Sequence, residues 1–219
     1  MRKCQVPGCG EMTTRFGRYC TSHKARARRH GDVYQRGVTA TELKPFVMKV
    51  RARIAKNADN PLWGQCEARW RAIVDHAVGI SRTFQSGQPG NRYEHQAAKM
   101  VMNVGSQVEP RAVVETALAM YLMREADPHR FTSDGAFSVQ LARRLRGLGE
   151  VNAATTIDRS GRQRRVYREL SPKVTGVIAQ WAAQALGAAG IIIARLEMKE
   201  VEAARAERDA FSDALSRLT

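Results

Sequence analysis

The sequence predicts a mainly α-helical protein with one small β-hairpin. Its expected order is an N-terminal cysteine-histidine motif, a helical body, a winged helix-turn-helix-like region and C-terminal helices. Three observations lead there. Three of the four cysteines and a histidine crowd into "CQVPGCGEMTTRFGRYCTSH", residues 4–23. From Thr41 onward apolar residues recur at helical spacing between start and stop signals. One stretch, residues 155–170, breaks that period with β-branched residues, a turn and a basic return.

Composition sets the class of partner. Lys and Arg number 36 against 21 Asp and Glu, giving a net charge of +15 and a pI near 10.4. Such a field concentrates polyanions, so nucleic acid is the first expected partner and an anionic membrane the second. No apolar stretch is read as reaching the roughly 18–20 residues that span a bilayer, and "MRKCQVPG" lacks the apolar core of a secretory leader. The expectation is a cytoplasmic, nucleoid-associated chain with no membrane partner, its thiols reduced.

Within the first motif the spacing is C-x4-C, ten residues, then C-x2-H: Cys4, Cys9, Cys20 and His23. Zinc takes four such ligands in a tetrahedron, two from each tight turn. Pro7 and Gly8 between the first pair and Gly10 after it let the chain fold closely around an ion. A segment this short builds no core of its own and needs a staple. A disulfide knot and an incidental cysteine cluster are the alternatives; the reducing compartment disfavours the first. Four protein ligands leave no open position, so the expected Zn(2+) is structural. Cys66 falls on the apolar face of a helix and reads as core.

Residues 4–32, "C-x4-C…R-x-G-x-Y-C-x2-H-K-x-R-x-R-R-H-G-D", resemble a small zinc-binding segment of bacteriophage and bacterial proteins. It often precedes an HNH nuclease domain and is similar to the zinc-binding part of phage recombination endonucleases. The resemblance covers about an eighth of the chain. It implies that Cys4, Cys9, Cys20 and His23 are the ligands and that Arg26, Arg28 and Arg29 continue on a helix beside nucleic acid. His30 is left out of the ligand set, because Gly31-Asp32 reads as a helix stop. An HNH core is then the feature to seek. Asp75-His76, Asn91 and His95 imitate its residues, but "CEARWRAIVDHAVGI" has helical, not hairpin, spacing. No catalytic residues are assigned.

The motif is bounded at residues 1–32, and residues 33–58 form a basic helix and linker. "TELKPFVMKVRARIAK" sets Phe46, Val50 and Ile54 on one face and much basic charge elsewhere. Lys49, Arg51 and Arg53 are read as phosphate contacts, continuing a stripe that begins with eight basic residues among the first thirty. The helical segment 59–106 starts at Asn60-Pro61, a cap and first-turn proline, runs to about Gly79 or a little beyond, breaks at "SGQPGN" and resumes over 92–104.

Residues 107–170 form the winged-helix-like region. "PRAVVETALAMYLMREA" carries a stripe of Val113, Val114, Ala117, Leu118 and Tyr121; "GAFSVQLARRLRGLGE" buries Phe137, Leu141, Leu145 and Leu148 and exposes Gln140, Arg143, Arg144 and Arg146. Then "TTI", a turn at "DRSGRQ" and "RRVYREL" give a hairpin. Helix, helix, basic hairpin suits DNA: a helix reads the major groove, and a hairpin tip with Arg159, Arg162, Arg164 and Arg165 holds phosphate. Gln140, Arg143 and Arg144 are the expected base readers.

In 171–219, Ser171 and Pro172 begin a helix with a broad apolar face, "GAAG" is read as an interruption, and the end has six acids against five bases. Packing or self-association is expected of it, and a homodimer suits a palindromic site. The function expected is a non-catalytic, zinc-containing double-stranded DNA-binding protein of phage or mobile-element type, a transcriptional regulator. The alternatives are a diverged zinc-finger nuclease of HNH type and an RNA- or host-protein-binding phage accessory protein that acts as an inhibitor.

Overall fold

The structure is a computed structural model and describes residues 2–149, 153–157, 160–167 and 169–216. Its elements are β1 (Arg2–Lys3), β2 (Met12–Thr13), α1 (Thr21–His30), α2 (Ala40–Lys56), α3 (Leu62–Gln85), α4 (Arg92–Gly105), α5 (Pro110–Ala126), a 3-10 turn (Pro128–Arg130), α6 (Asp134–Arg146), β3 (Ala153–Ile157), β4 (Gln163–Tyr167) and α7 (Pro172–Ser216). The mainly helical class and the hairpin are as the sequence predicts.

Helix α5 is the axis of the body. Every residue from Val113 to Met123 is buried, because α2, α3, α6 and α7 all pack on it. A stripe of five residues is legible in its sequence; the small Ala117 and Ala119 let neighbours close over the rest. Glu115 is buried there and accepts from Arg51 of α2 at 2.7 Å.

Local signals set the helix ends. Thr39 and Glu42 form a capping box at α2, the Asn60 side chain accepts from Leu62 N at the start of α3, and Asn91 and Ser133 cap α4 and α6. Helix α3 continues past Gly79 to Gln85.

Two expectations about α7 are corrected. "GAAG" does not interrupt it: the helix is continuous through Gly187 and Gly190. A Cβ at Gly190 would fall 2.3 Å from Tyr121 Cδ2, so these glycines let α7 approach α5 closely, and that packing offsets a propensity cost of about 1 kcal/mol each. An 18-residue window of α7 also reaches a mean hydropathy of 1.7, enough by length and composition to cross a membrane, and half of that window is buried inside the fold. Its uncharged run, residues 174–194, mixes Val, Ile and Leu with Ala and Gly and is interrupted by Thr175, Gln180 and Gln184, which hid it from the sequence reading.

Residues 31–39 form a strap that joins the N-terminal motif to the body. Gln35, 1% exposed, accepts from Thr132 N and donates to the Arg36 and Arg130 carbonyl oxygens. Arg130 donates to the Gly37 carbonyl at 3.1 Å and pairs with Glu42. Gly31 has φ of 93°, and a Cβ there would lie 2.9 Å from Ala136 Cα. Backbone conformation and close approach to α6 both require glycine at this position.

Candidate metal centre and basic surface

The N-terminal motif folds as two knuckles against one helix. Strands β1 and β2 pair antiparallel, Arg2 opposite Thr13. Cys4 N donates to Glu11 O and Gln5 N to Arg18 O, which closes the loop on itself. Gly8, with φ of 74°, turns the chain so that Cys9 N reaches Val6 O. Cys20 is the N-cap residue of α1 and His23 lies in its first turn, so one helix start delivers both later ligands. Val6 and Val33 supply the small apolar core.

This geometry brings the four side chains together. Among the described residues, Cys4, Cys9, Cys20 and His23 form the one cluster of candidate metal ligands, all four ligand atoms within 4.8 Å of one another. Cys9 Sγ lies 4.0 Å from Cys20 Sγ, and His23 Nδ1 lies 3.5 Å from Cys4 Sγ and 3.2 Å from Cys20 Sγ. Thiolates around a tetrahedral ion at zinc-like bond lengths stand about 3.8 Å apart, so the donor set fits such an ion. The cysteines are free thiols, and the separations are far beyond the roughly 2.05 Å of a disulfide. For Cys4, burial opposes ionisation, but hydrogen bonds from the Cys20 and Val6 backbone outweigh it and lower its pKa to about 6. At Cys9 the Glu11 backbone bond lowers the pKa, and burial with the neighbouring thiols overrides it, so the net direction is up.

The expected nucleic-acid residues divide into three groups. Arg26 and Arg28 on α1, Lys49 on α2 and Arg162 at the hairpin turn are exposed. Arg29 pairs with Glu169 and Arg51 with Glu115, both keeping exposed surface. The third group is turned inward. Arg53 pairs with Glu197 and Glu200 of α7, its side chain 13% exposed, and its place in a phosphate stripe is corrected to an interhelical tie. Gln140 is 0% exposed: its Oε1 accepts from Val38 N at 2.9 Å and its Nε2 donates to the His30 carbonyl at 3.1 Å. Arg143 donates to Arg29 O and Arg144 to Val38 O, both partly buried, and Arg146 is buried at 7% exposure. The order helix, helix, hairpin is present, but the strap and the end of α1 cover the face of α6 that holds Gln140. Gln140 therefore cannot face base edges. Arg159 lies outside the described residues. Arg164 and Arg165 stand in β4 opposite Thr156 and Thr155, their side chains outside those described.

Asp75 and His76 lie within α3, and Asn91 and His95 at the start of α4. Their local partners are helical and aromatic. His76 and Trp181 meet in a T-shaped contact with ring centres 5.3 Å apart, and His95 stacks on Phe84 at 3.8 Å. The Asn91 side chain accepts from Tyr93 N.

Sequence reading missed Gln35 and Arg130, whose roles depend on residues some 95 positions away. It also passed over Phe16, exposed at the tip of the second knuckle.

Residues 1–42 match a family model described as a domain of unknown function, DUF8602. The matched span takes in the four candidate ligands, α1, the strap and the first residues of α2. No curated protein matches the chain, and no solved structure does.

Proposed function

We propose that this chain is a non-catalytic, zinc-containing double-stranded DNA-binding protein of phage or mobile-element type that regulates transcription by occupying DNA. The observation that carries the reading is the position of α1. It starts on two of the four candidate ligands and exposes Lys24, Arg26 and Arg28 along its length. An ion held by Cys4, Cys9, Cys20 and His23 fixes that start, so the cations are presented in a set orientation. Three thiolates and an imidazole in a small tetrahedral set favour zinc among abundant ions. With all four positions filled by protein, the metal organises structure.

Phosphate contacts then supply the affinity. Arg26 and Arg28 on α1, Lys49 on α2 and Arg162 at the hairpin turn act in this reading through charge, orienting the protein on the duplex without reading bases. The burial of Gln140, with Arg143 and Arg144 donating to the Arg29 and Val38 carbonyl oxygens, takes the three expected readers of α6 out of the reading. The N-terminal resemblance supports the phage or mobile-element origin.

The test is duplex binding at several salt concentrations. Each phosphate contact contributes about −0.9 to the slope of log affinity against log salt. Replacing Arg26 and Arg28 together with Ala is expected to flatten that slope by roughly 1.8, and chelation of the metal to have a comparable effect. A wild-type slope near zero, or tighter capture of RNA or a protein than of duplex DNA, would refute the reading.

A further inference from the structure

Phe16 is the one phenylalanine in the first 42 residues, and the N-terminal module leaves it outside. The module's small core takes Val6 and Val33 and partly covers Tyr19, while Phe16 is 90% exposed. For a segment so poor in apolar material this omission stands out, since burying such a side chain would stabilise the module.

The turn that carries the ring is braced at both ends. Thr14 to Gly17 form a tight turn closed by Gly17 N donating to Thr14 O at 3.0 Å, with Phe16 at its third position. The Thr13 hydroxyl, on a residue 3% exposed, lies 2.9 Å from Gly17 O and 3.1 Å from Arg2 O and Thr14 O, bracing both ends of the turn against β1. Cys20 follows three residues later as a candidate ligand. The Lys24 ammonium rests against Gly17, 2.8 Å from where a Cβ would stand. An aromatic ring is thus held out on a braced tip.

One cation lies beside the ring and others stand close by in the sequence. The Arg15 guanidinium lies 5.5 Å from the ring centre, and Arg15, Arg18 and Lys24 are all exposed. A partner for this tip must offer negative charge and a flat apolar face within a few ångströms of each other. Nucleic acid has both in every nucleotide. A lipid surface fits less well, because one ring supplies too little apolar burial for stable anchoring.

We propose that Phe16 is a base-stacking residue that lies against a nucleobase while Arg15, Arg18 and Lys24 hold the flanking phosphates. The inference rests on the nucleic-acid reading above and adds to it the contact chemistry of the second knuckle. The base can come from a duplex step opened by the ring, as apolar wedges do, or from an unpaired strand.

Wild type, Phe16→Ala and Phe16→Trp are titrated against a duplex, the same duplex carrying a one-base bulge, the corresponding single strand, and vesicles containing anionic lipid. Because Phe16 is exposed, zinc content and melting temperature should match wild type in both variants. Stacking on a base is worth about 1–3 kcal/mol, so Phe16→Ala is expected to weaken binding roughly 5- to 150-fold with an unchanged salt slope. Phe16→Trp should keep affinity and show indole quenching on binding. The nucleic acid with the largest loss identifies the source of the base. Equal affinity of Phe16→Ala and wild type on every nucleic acid, or a loss confined to vesicles, overturns the inference and leaves the DNA reading standing. If wild type binds no nucleic acid, both fall.

Discussion

Gln140 on α6 holds the end of α1, its Nε2 donating to the His30 carbonyl oxygen at 3.1 Å while its Oε1 accepts from Val38 N at 2.9 Å. One fully buried amide thus joins the metal-ligand module, the strap and the body. Replacement by Leu keeps the volume and leaves buried backbone groups without partners, at about 1–3 kcal/mol each. Gln140→Leu is expected to lower stability by about 2–4 kcal/mol in urea unfolding, without altering sequence preference on DNA. A stable variant with relaxed preference would return Gln140 to base reading.

The candidate metal centre yields a prediction confined to one end of the chain. Cys20 is both a candidate ligand and the N-cap of α1, and its small core is distinct from the large cluster running from Val38 to Ala194. Metal analysis of wild type should find a single zinc per chain. Cys20→Ser should release it and expose the amides of residues 2–33 to rapid hydrogen exchange, while those of α5 stay protected. Wild type purified without chelator and free of zinc, yet protected over 2–33, would overturn the assignment.

What the sequence disclosed, and what it withheld, follows from range. The four candidate ligands, the start signal at Asn60-Pro61 and the hairpin were legible because each depends on residues within about twenty positions. Gln140 was misread because on its own helix it lies beside Arg143 and Arg144, away from the stripe of Phe137, Leu141 and Leu145, and the strap that covers it comes from residues 31–39. The basic stripe failed at Arg53 for the same reason. Its partners Glu197 and Glu200 lie nearly 150 residues away, and on α2 alone nothing distinguishes Arg53 from Lys49. Continuity of α7 was missed because glycine lowers local propensity, whereas Tyr121 makes its small size useful.

Arg53 and Glu197 face each other at 13% and 14% exposure. Removing one partner of such a pair strands the other charge, at about 3–5 kcal/mol, whereas replacing both with apolar residues is often close to neutral. Arg53→Met is therefore expected to destabilise strongly, and the double variant Arg53→Met, Glu197→Met to regain most of the loss. Additive losses in that cycle would show that the two side chains do not act as a pair. The salt slope of DNA binding should stay near wild type in the double variant, in contrast to the Arg26, Arg28 variant.

His30 makes stability depend on pH. Burial lowers its pKa to about 4, assisted by Arg143, Arg29 and Arg26 and opposed by Glu169; the Gln140 amide nitrogen also lies 3.4 Å from its Nδ1. In the unfolded chain a histidine titrates near 6.5. Between about 6.5 and 4 the unfolded state therefore binds a proton that the fold refuses, and stability falls as pH falls. Above about 6.5 both states are neutral at this residue and its contribution is flat. The full effect is at most about 3 kcal/mol, reduced because the ring is partly solvated. The candidate metal ligands also protonate in acid, so the informative comparison is wild type against His30→Gln, which shares them. The variant should lose part of the decline between pH 6.5 and 5 in chemical unfolding. Identical pH dependence in both proteins would show that His30 titrates alike in the folded and unfolded states.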